Sequence, residues 1–335
     1  MTQSYYRPLA QLGKARPSDA VELAGGPCWF THVERLTRDG RGEYLLAAQL
    51  PEEALQRLCA ARAPIAGLEM NEPKVMGILN VTPDSFSDGG RVNGAAAALS
   101  HARAMRDAGA DIIDVGGEST RPGALEVPFE AEIARTALVI KALSEGMDAP
   151  ISIDTRKRAV AEEAARNGAG LVNDVSGFTF DPDLGDFCAQ QGLPVCIMHA
   201  QGDPQTMQDN PQYENVLLDV YDFLEERISV LEALGIARDR MIVDPGIGFG
   251  KRIEHNLALL GGISLFHGLG CAILLGVSRK GFIRVLGDVP DPEKRAPGSI
   301  AAGLAGLAQG VQILRVHDVA ETTQAIKLWQ AATGG

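Results

Sequence analysis

Aromatic residues, cysteine motifs and long apolar runs are all scarce in this chain of 335 residues. Phe, Trp and Tyr make up 5% of it, and its five cysteines include no CxxC pair. That odd, unpatterned number argues against a disulfide framework and against a zinc site. No segment approaches the about 20 apolar residues of a transmembrane helix, and the first residues lack a signal-peptide core. We therefore expect a cytoplasmic protein without a membrane partner.

Positive charge is also scarce. The formal net charge is -12, and the only basic cluster is Arg156–Arg158. Nucleic-acid binding needs a cationic surface that neutralises phosphates, so we expect no nucleic-acid partner. Several cations nevertheless follow short apolar segments, and this local concentration favours an anionic ligand. They are Arg121, Arg279, Lys280, Arg315 and His317.

Eight short apolar segments recur along the chain, each followed by charged or amide side chains. They are Val75–Leu79, Asp111–Val115, Ile151–Ile153, Leu171–Val172, Val195–Met198, Met241–Val243, Ile273–Val277 and Ile313–Leu314. Such runs are typical of buried parallel strands, and amphipathic helical patterns separate most of them. The sequence predicts an α/β fold, a (β/α)8 TIM barrel over residues 74–335. All eight polar segment ends would then meet at the face where such barrels carry chemistry.

Residues 1–73 do not follow this alternation. Two strand-like segments, Cys28–Leu36 and Glu43–Leu50, flank the turn signal Asp39–Gly40, and an amphipathic helix follows from Pro51 to about Ala61. We expect a small N-terminal β-β-α appendage with an irregular start over residues 1–26. If this appendage covers the barrel, we expect it at the N-terminal end of the barrel, opposite the polar strand ends.

Eight motifs, in this order, resemble those of dihydropteroate synthases. They are M76GILNVTPDSFSDGG90, I112IDVGGESTRPGA124, S152IDT155, N173DVSG177, M198HAQGDPQTMQ208, D244PGIGFGK251, G276VSRKGF282 and L314RVHDV319. The resemblance implies condensation of 6-hydroxymethyl-7,8-dihydropterin pyrophosphate with p-aminobenzoate, with release of pyrophosphate, in folate biosynthesis. It covers nearly all of the predicted barrel and none of residues 1–73.

The pterin site is expected at Asp154, Asn173 and Asp244, which end three predicted strands. A pterin edge presents adjacent N–H donors, and carboxylate and amide oxygens accept such donors. The resemblance assigns these three residues to the pterin and adds Lys280 as a donor to the ring acceptors. For any one of them alone, helix capping or turn stabilisation is the alternative. Asp174, beside Asn173, is predicted to be structural.

The pyrophosphate site is implied by the resemblance. Asn80 would offer an oxygen to Mg²⁺, a cation that prefers oxygen ligands and shares them with phosphate. Arg121, Arg315 and His317 would contact phosphate oxygens, and Arg315 could also stack on the pterin. The alternatives are surface salt bridges for the arginines and a backbone hydrogen bond for His317. We expect His199 to support the site indirectly.

The p-aminobenzoate site also follows from the resemblance. It implies a dissociative reaction, so no nucleophilic side chain is expected. The loop after the second apolar segment contains no insertion, which is the pattern of the sulfonamide-sensitive members of this family. The implied second-substrate residues are Thr120, Pro122, Phe249 and Ser278, with Phe86 and Asp88 on a lid. The implied catalytic residues are Asp88, Arg121, Lys280, Arg315 and His317.

Two alternative functions stay open at this stage. A methyltetrahydrofolate–corrinoid methyltransferase would share the pterin-binding carboxylates but has no use for Arg121 or for the SRK and RVH motifs. A paralogue that binds pterin without catalysis would be expected to lose lid or phosphate residues first. The family resemblance also implies a homodimer.

Overall fold

The computed structural model describes residues 3–40, 42–81, 90–119, 123–202 and 206–334, except for the side chains of residues 90–93. Its centre is a closed parallel barrel, which confirms the predicted (β/α)8 fold. The strands are β6 (Lys74–Asn80), β7 (Ile112–Gly116), β8 (Ile151–Asp154), β9 (Leu171–Asp174), β10 (Val195–Met198), β11 (Met241–Asp244), β12 (Ala272–Leu275) and β13 (Ile313–Val316). Pairing of β13 with β6 closes the barrel.

Helices follow the strands around the outside of the barrel. They are α2 (Gly90–Asp107), α3 (Phe129–Gly146), α4 (Arg158–Arg166), α5 (Asp183–Gln191), α6 (Val216–Ala233), α7 (Ile253–Gly261), α8 (Gly281–Leu286), α9 (Ala296–Leu307) and α10 (Val319–Thr333). The pattern of the sequence did not reveal α5 or α8. Gly185 lies inside α5, where a Cβ would come within 2.9 Å of Leu234 and 3.1 Å of Leu231. The glycine that weakened the helical pattern is therefore needed for helix packing.

The strand side chains alternate between two apolar layers. One set points into the barrel and forms an inner cluster: Met76, Ile112, Leu171, Cys196, Ile242, Ala272, Leu274 and Ile313. The other set packs against the helices in a larger outer cluster. This period of two is the ordinary geometry of a strand. It decides which polar residues near the strand ends face the barrel interior.

Residues 3–73 form more secondary structure than predicted. The expected hairpin is confirmed: β4 (His32–Leu36) pairs antiparallel with β5 (Glu43–Leu46), and α1 covers Glu52–Cys59. The expectation of an irregular start is wrong. Strand β1 (Tyr5–Pro8) pairs antiparallel with β4, and β2 (Val21–Glu22) pairs with β3 (Trp29–Phe30).

Long-range contacts explain β1. The Tyr5 ring meets Tyr221 of α6 edge-on, with ring centroids 5.4 Å apart, and its hydroxyl donates to the Asp222 carboxylate at 2.9 Å. These partners are more than 200 residues away, so no local pattern could signal them.

Ile65 and Met70 belong to the inner barrel cluster and close the barrel's N-terminal end. The domain boundary at residues 73/74 stays a prediction.

None of the described helices is both long and apolar enough to cross a lipid bilayer.

Candidate active site

Strand alternation carries the predicted pterin residues into the barrel interior. Asn173, Asp244 and Arg315 each lie two positions beyond an inner-cluster residue of their own strand, and so face the same side. Asp154 pairs in register with Asn173 on the next strand. The structure therefore brings together side chains that are up to 161 residues apart in the chain.

Arg315 occupies the centre of this interior layer. Its Nε donates to Asp114 Oδ2 at 2.6 Å, and its Nη2 donates to Asp154 Oδ2 at 2.7 Å. Asp114 also accepts from Asn173 Nδ2 at 3.3 Å. Burial by itself lowers the pKa of Arg315, but the charges of Asp114 and Asp154 outweigh it and leave that pKa raised. One guanidinium thus balances two buried carboxylates.

The two carboxylates retain unused acceptor capacity. Asp114 Oδ1 and Asp154 Oδ1 are buried and have no hydrogen-bond partner among the described residues. Burial raises the pKa of Asp154 to about 7, while the Arg315 charge opposes the rise and the Asp114 charge adds to it. Buried acceptors without donors are unfavourable, so this layer favours a ligand with N–H donors.

Asp244 and Lys280 form the adjoining side of the site. Asp244 Oδ1 accepts from the Gly246 N–H at 2.7 Å. Burial raises the pKa of Asp244, and this hydrogen bond and the Lys280 charge act in the opposite direction. Lys280 Nζ lies 3.9 Å from the centroid of the Phe249 ring, a cation–π contact. Phe249, which the resemblance assigns to the p-aminobenzoate site, therefore contacts Lys280, which it assigns to the pterin.

Ser278 and His317 hold each other at the ends of two neighbouring strands. The His317 N–H donates to Ser278 Oγ at 3.1 Å, and Ser278 Oγ lies 2.9 Å from His317 Nδ1. Ser278 is therefore a partner of His317 as well as a predicted substrate contact. Arg279, which the sequence grouped with the cationic strand ends, pairs instead with Asp318 at 2.6 Å.

Asp174 is structural, as predicted. Its side chain lies on the other face of β9 from Asn173, because neighbouring strand residues point in opposite directions. Its oxygens accept from Ser176 N at 2.7 Å, Ser176 Oγ at 2.9 Å and Phe178 N at 2.8 Å. Burial raises its pKa to about 6, and these hydrogen bonds oppose the rise. They fasten the turn that follows β9.

The indirect supporting role expected for His199 stays a prediction. The side chain is buried, and its Nδ1 lies 2.8 Å from Lys251 Nζ. Burial, together with the Lys251 charge, lowers the pKa of His199 well below its usual range. The imidazole is therefore neutral at physiological pH.

Sequence reasoning missed Asp114 and Lys251. Asp114 is fully buried in the middle of β7, and a carboxylate within the run Ile112–Val115 was the available signal. Lys251 ends the motif D244PGIGFGK251, and its cation after a glycine-rich loop was a weaker signal. Burial lowers the pKa of Lys251 to about 7, with the Asp244 charge raising it and the Lys280 charge lowering it.

Asn80, the predicted Mg²⁺ ligand, lies at the edge of the interior layer. Asn80 is exposed at the end of β6 and pairs in register with Gly116. A Cβ on Gly116 would lie 3.7 Å from Asn80 Oδ1 and 3.8 Å from Asp154 Oδ2, so Asn80 borders the interior layer. Five predicted residues lie outside the described part of the chain: Phe86, Asp88, Thr120, Arg121 and Pro122.

A cavity of about 490 Å³ lies at the opposite end, between α1 and the barrel. Arg62 lines it, but its guanidinium donates to the carbonyls of Ala60 at 3.0 Å, Arg57 at 3.0 Å and His267 at 2.9 Å. These three hydrogen bonds give Arg62 a structural role. None of the predicted site residues in the described part of the chain lines this cavity.

Comparison with known proteins agrees with this geometry. The pattern of the family described as pterin binding enzyme matches residues 76–317. The dihydropteroate synthase of Escherichia coli K12 is 46% identical over 264 residues, which cover 79% of this chain and 93% of that protein. The chain belongs to the dihydropteroate synthase family.

Solved structures of this family have the same barrel. The Yersinia pestis dihydropteroate synthase, solved with a sulfonamide drug, is 45% identical with a TM-score of 0.75, covering 80% of this chain and 97% of that one. The Xanthomonas albilineans enzyme, solved with 4-aminobenzoic acid, is 43% identical with a TM-score of 0.75, covering 81% and 97%. The family match begins at Met76, so β1–β5 and α1 lie before it.

Proposed function

We propose that the chain is a transferase that condenses 6-hydroxymethyl-7,8-dihydropterin pyrophosphate with p-aminobenzoate, giving 7,8-dihydropteroate and pyrophosphate. The supporting observation is the buried layer of acceptors at Asp154, Asn173 and Asp244. A pterin edge supplies the N–H donors that this layer lacks. Leaving such polar groups unpaired in a buried site costs roughly 2–7 kcal/mol per group, so pairing them favours binding.

Asp114 and Asp154 have different roles in this proposal. Asp114 keeps Arg315 in the barrel interior, whereas Asp154 turns its acceptors to the pterin. The planar guanidinium can then stack on the pterin ring or donate to a phosphate oxygen. Lys280 supplies a further positive charge beside Asp244.

The diphosphate is assigned to Mg²⁺ and to cations at the strand ends. Asn80 offers one exposed oxygen beside the interior layer, and the described residues hold no group of three His, Cys, Asp or Glu that could bind a metal. One protein oxygen fits Mg²⁺, which usually keeps water ligands and binds phosphates directly. Mg²⁺ would neutralise charge on the leaving pyrophosphate. Arg121 and His317 are assigned to its remaining oxygens.

The reaction requires charge stabilisation and alignment rather than a nucleophilic side chain. The bond between the exocyclic carbon and the diphosphate oxygen breaks, and pyrophosphate keeps the electron pair. The arylamine lone pair then forms the C–N bond, and the nitrogen releases a proton. Holding the pterin cation away from water beside an aligned amine is the enzyme's contribution. The second-substrate residues are assigned as Phe249, Ser278, Thr120 and Pro122, with Phe86 and Asp88 closing over them.

Oligomeric state and location belong to the same proposal. Leu257 of α7, Leu286 of α8 and Leu328 of α10 are exposed, with Leu328 at 71%. The homodimer that the family resemblance implies would bury such side chains if they lie at its interface. A cytoplasmic location, where folate precursors are made, stays part of the prediction.

The test is formation of dihydropteroate by purified protein with Mg²⁺, followed by mass spectrometry. Product is expected only when both substrates are present, together with one equivalent of pyrophosphate. A sulfonamide should compete with p-aminobenzoate. Pterin binding without product would favour an inactive paralogue. Methyl transfer between methyltetrahydrofolate and a corrinoid protein would favour the methyltransferase alternative.

A further inference from the structure

Lys251 is a buried basic residue to which the proposed reaction gives no role. It ends the loop between β11 and α7 and is 3% exposed. Its Nζ lies 2.8 Å from His199 Nδ1, 3.0 Å from the Phe249 carbonyl oxygen and 3.3 Å from the His199 carbonyl oxygen. Lys251 Nζ therefore has three hydrogen-bond partners, the number that a lysine side chain can serve as donor when it is protonated. Burial and the Lys251 charge lower the pKa of the His199 imidazole, whose Nδ1 faces Lys251 Nζ.

The loop that carries Lys251 lies directly on the segment after β10. Gly246 and Gly250 both have positive φ, and a Cβ on either would overlap the backbone of that segment, at His199 and Gln201 respectively. Glycine is required at both positions for this close approach. Lys251 therefore joins two backbone segments that are already in contact, and it fixes the peptide of Phe249.

Phe249 transmits this constraint to the active site. Its ring lies 3.9 Å from Lys280 Nζ, and Lys280 precedes the first turn of α8. Lys251 Nζ therefore contacts the Phe249 carbonyl, and the Phe249 ring contacts Lys280 Nζ. None of the described carboxylates lies within 4.0 Å of Lys251 Nζ, so its direct contacts are with His199 and this loop.

We propose that Lys251 is a positioning residue for the arylamine substrate, acting by holding Phe249 and, through its ring, Lys280. The proposal rests on the proposed function, in which Phe249 borders the p-aminobenzoate site. Losing the Lys251 donors leaves the Phe249 carbonyl and His199 Nδ1 without partners. The loop can then place the Phe249 ring elsewhere, and p-aminobenzoate binds more weakly. The pterin carboxylates keep their own strand positions.

The decisive variant is Lys251→Met, which keeps an unbranched apolar side chain and removes all three donors. We expect the KM for p-aminobenzoate to rise at least tenfold and the KM for dihydropterin pyrophosphate to change less than threefold. Phe249→Leu should raise the same KM. In the double variant, the KM for p-aminobenzoate should rise no further than in the single variant with the larger increase, because the two residues act as one unit.

The matched control is Arg62→Met. Arg62 is also a buried basic residue, and it donates to three backbone carbonyls, but it lies at the other end of the barrel. It should lower thermal stability and leave both KM values unchanged. If Lys251→Met does not fold, Lys251→Gln, which keeps an N–H donor, is assayed by the same criteria.

An active Lys251 variant with both KM values unchanged, and only the stability loss of the Arg62 control, would overturn the proposal. So would equal increases in both KM values. Failure of the proposed function has a different signature, since wild-type protein would then form no dihydropteroate.

Discussion

Replacing Asp154 by Asn tests the buried acceptor layer with the smallest change of shape. The carboxylate accepts from Arg315 Nη2 at 2.7 Å and keeps a second buried oxygen without a partner among the described residues. An amide at this position brings its own N–H donors to the donor edge of a pterin. The loss is at least one hydrogen bond to a charged group, about 1.5–3 kcal/mol. This corresponds to an affinity about 12- to 160-fold weaker.

The assay is calorimetric titration with 6-hydroxymethyl-7,8-dihydropterin at pH 8, where Asp154 is ionised. Asp174→Asn is the matched control, because Asp174 is a buried carboxylate of the next strand that faces away from the barrel interior. It should lower the melting temperature, since three hydrogen bonds depend on it, and leave pterin affinity unchanged. Wild-type affinity in folded Asp154→Asn would refute the assignment of Asp154 to the pterin site.

Four further predictions follow from the same contacts. Pterin affinity should increase as pH rises from 5 to 8, because the pKa of Asp154, near 7, keeps this carboxylate protonated at lower pH. The limiting slope is about tenfold in affinity per pH unit, and the Asp154→Asn variant should not show this pH dependence. Arg315→Lys should lower kcat/KM at least tenfold in steady-state assays, because one ammonium cannot replace a guanidinium that bridges Asp114 and Asp154. Met70→Ala should destabilise the protein by about 2–5 kcal/mol in urea unfolding, with KM values unchanged, because Met70 fills the barrel end opposite the site. Removing Mg²⁺ with EDTA should abolish measurable pyrophosphate binding in calorimetry, because Mg²⁺ is proposed to hold the diphosphate. Asn80→Ala should weaken this binding in the presence of Mg²⁺, and wild-type binding in either case would contradict the metal assignment.

The barrel could be predicted because its signals are local. Each strand is a short apolar run, and the period of two decides which side its polar neighbours face. That rule separates Asn173, which faces the interior, from Asp174, which faces the helices. Family motifs then supplied substrate roles that no spacing could provide.

What the sequence did not reveal depends on contacts between distant segments. Asp114 looked like one polar residue within an apolar strand, and its role depends on Arg315, which is 201 residues away. Strand β1 exists because Tyr5 meets α6. Helix α5 contains a glycine that its packing requires and that a helical pattern penalises. In each case tertiary packing outweighed the local signal.

The most direct test of the pterin site is a crystal structure of the protein with dihydropterin pyrophosphate and Mg²⁺. The pterin edge should donate to Asp154 and Asp244 inside the barrel, with Asn173 beside it, the diphosphate near Asn80, and Arg315 still paired with Asp114. A pterin bound at the other end of the barrel, or with its donor edge turned to solvent, would contradict this account.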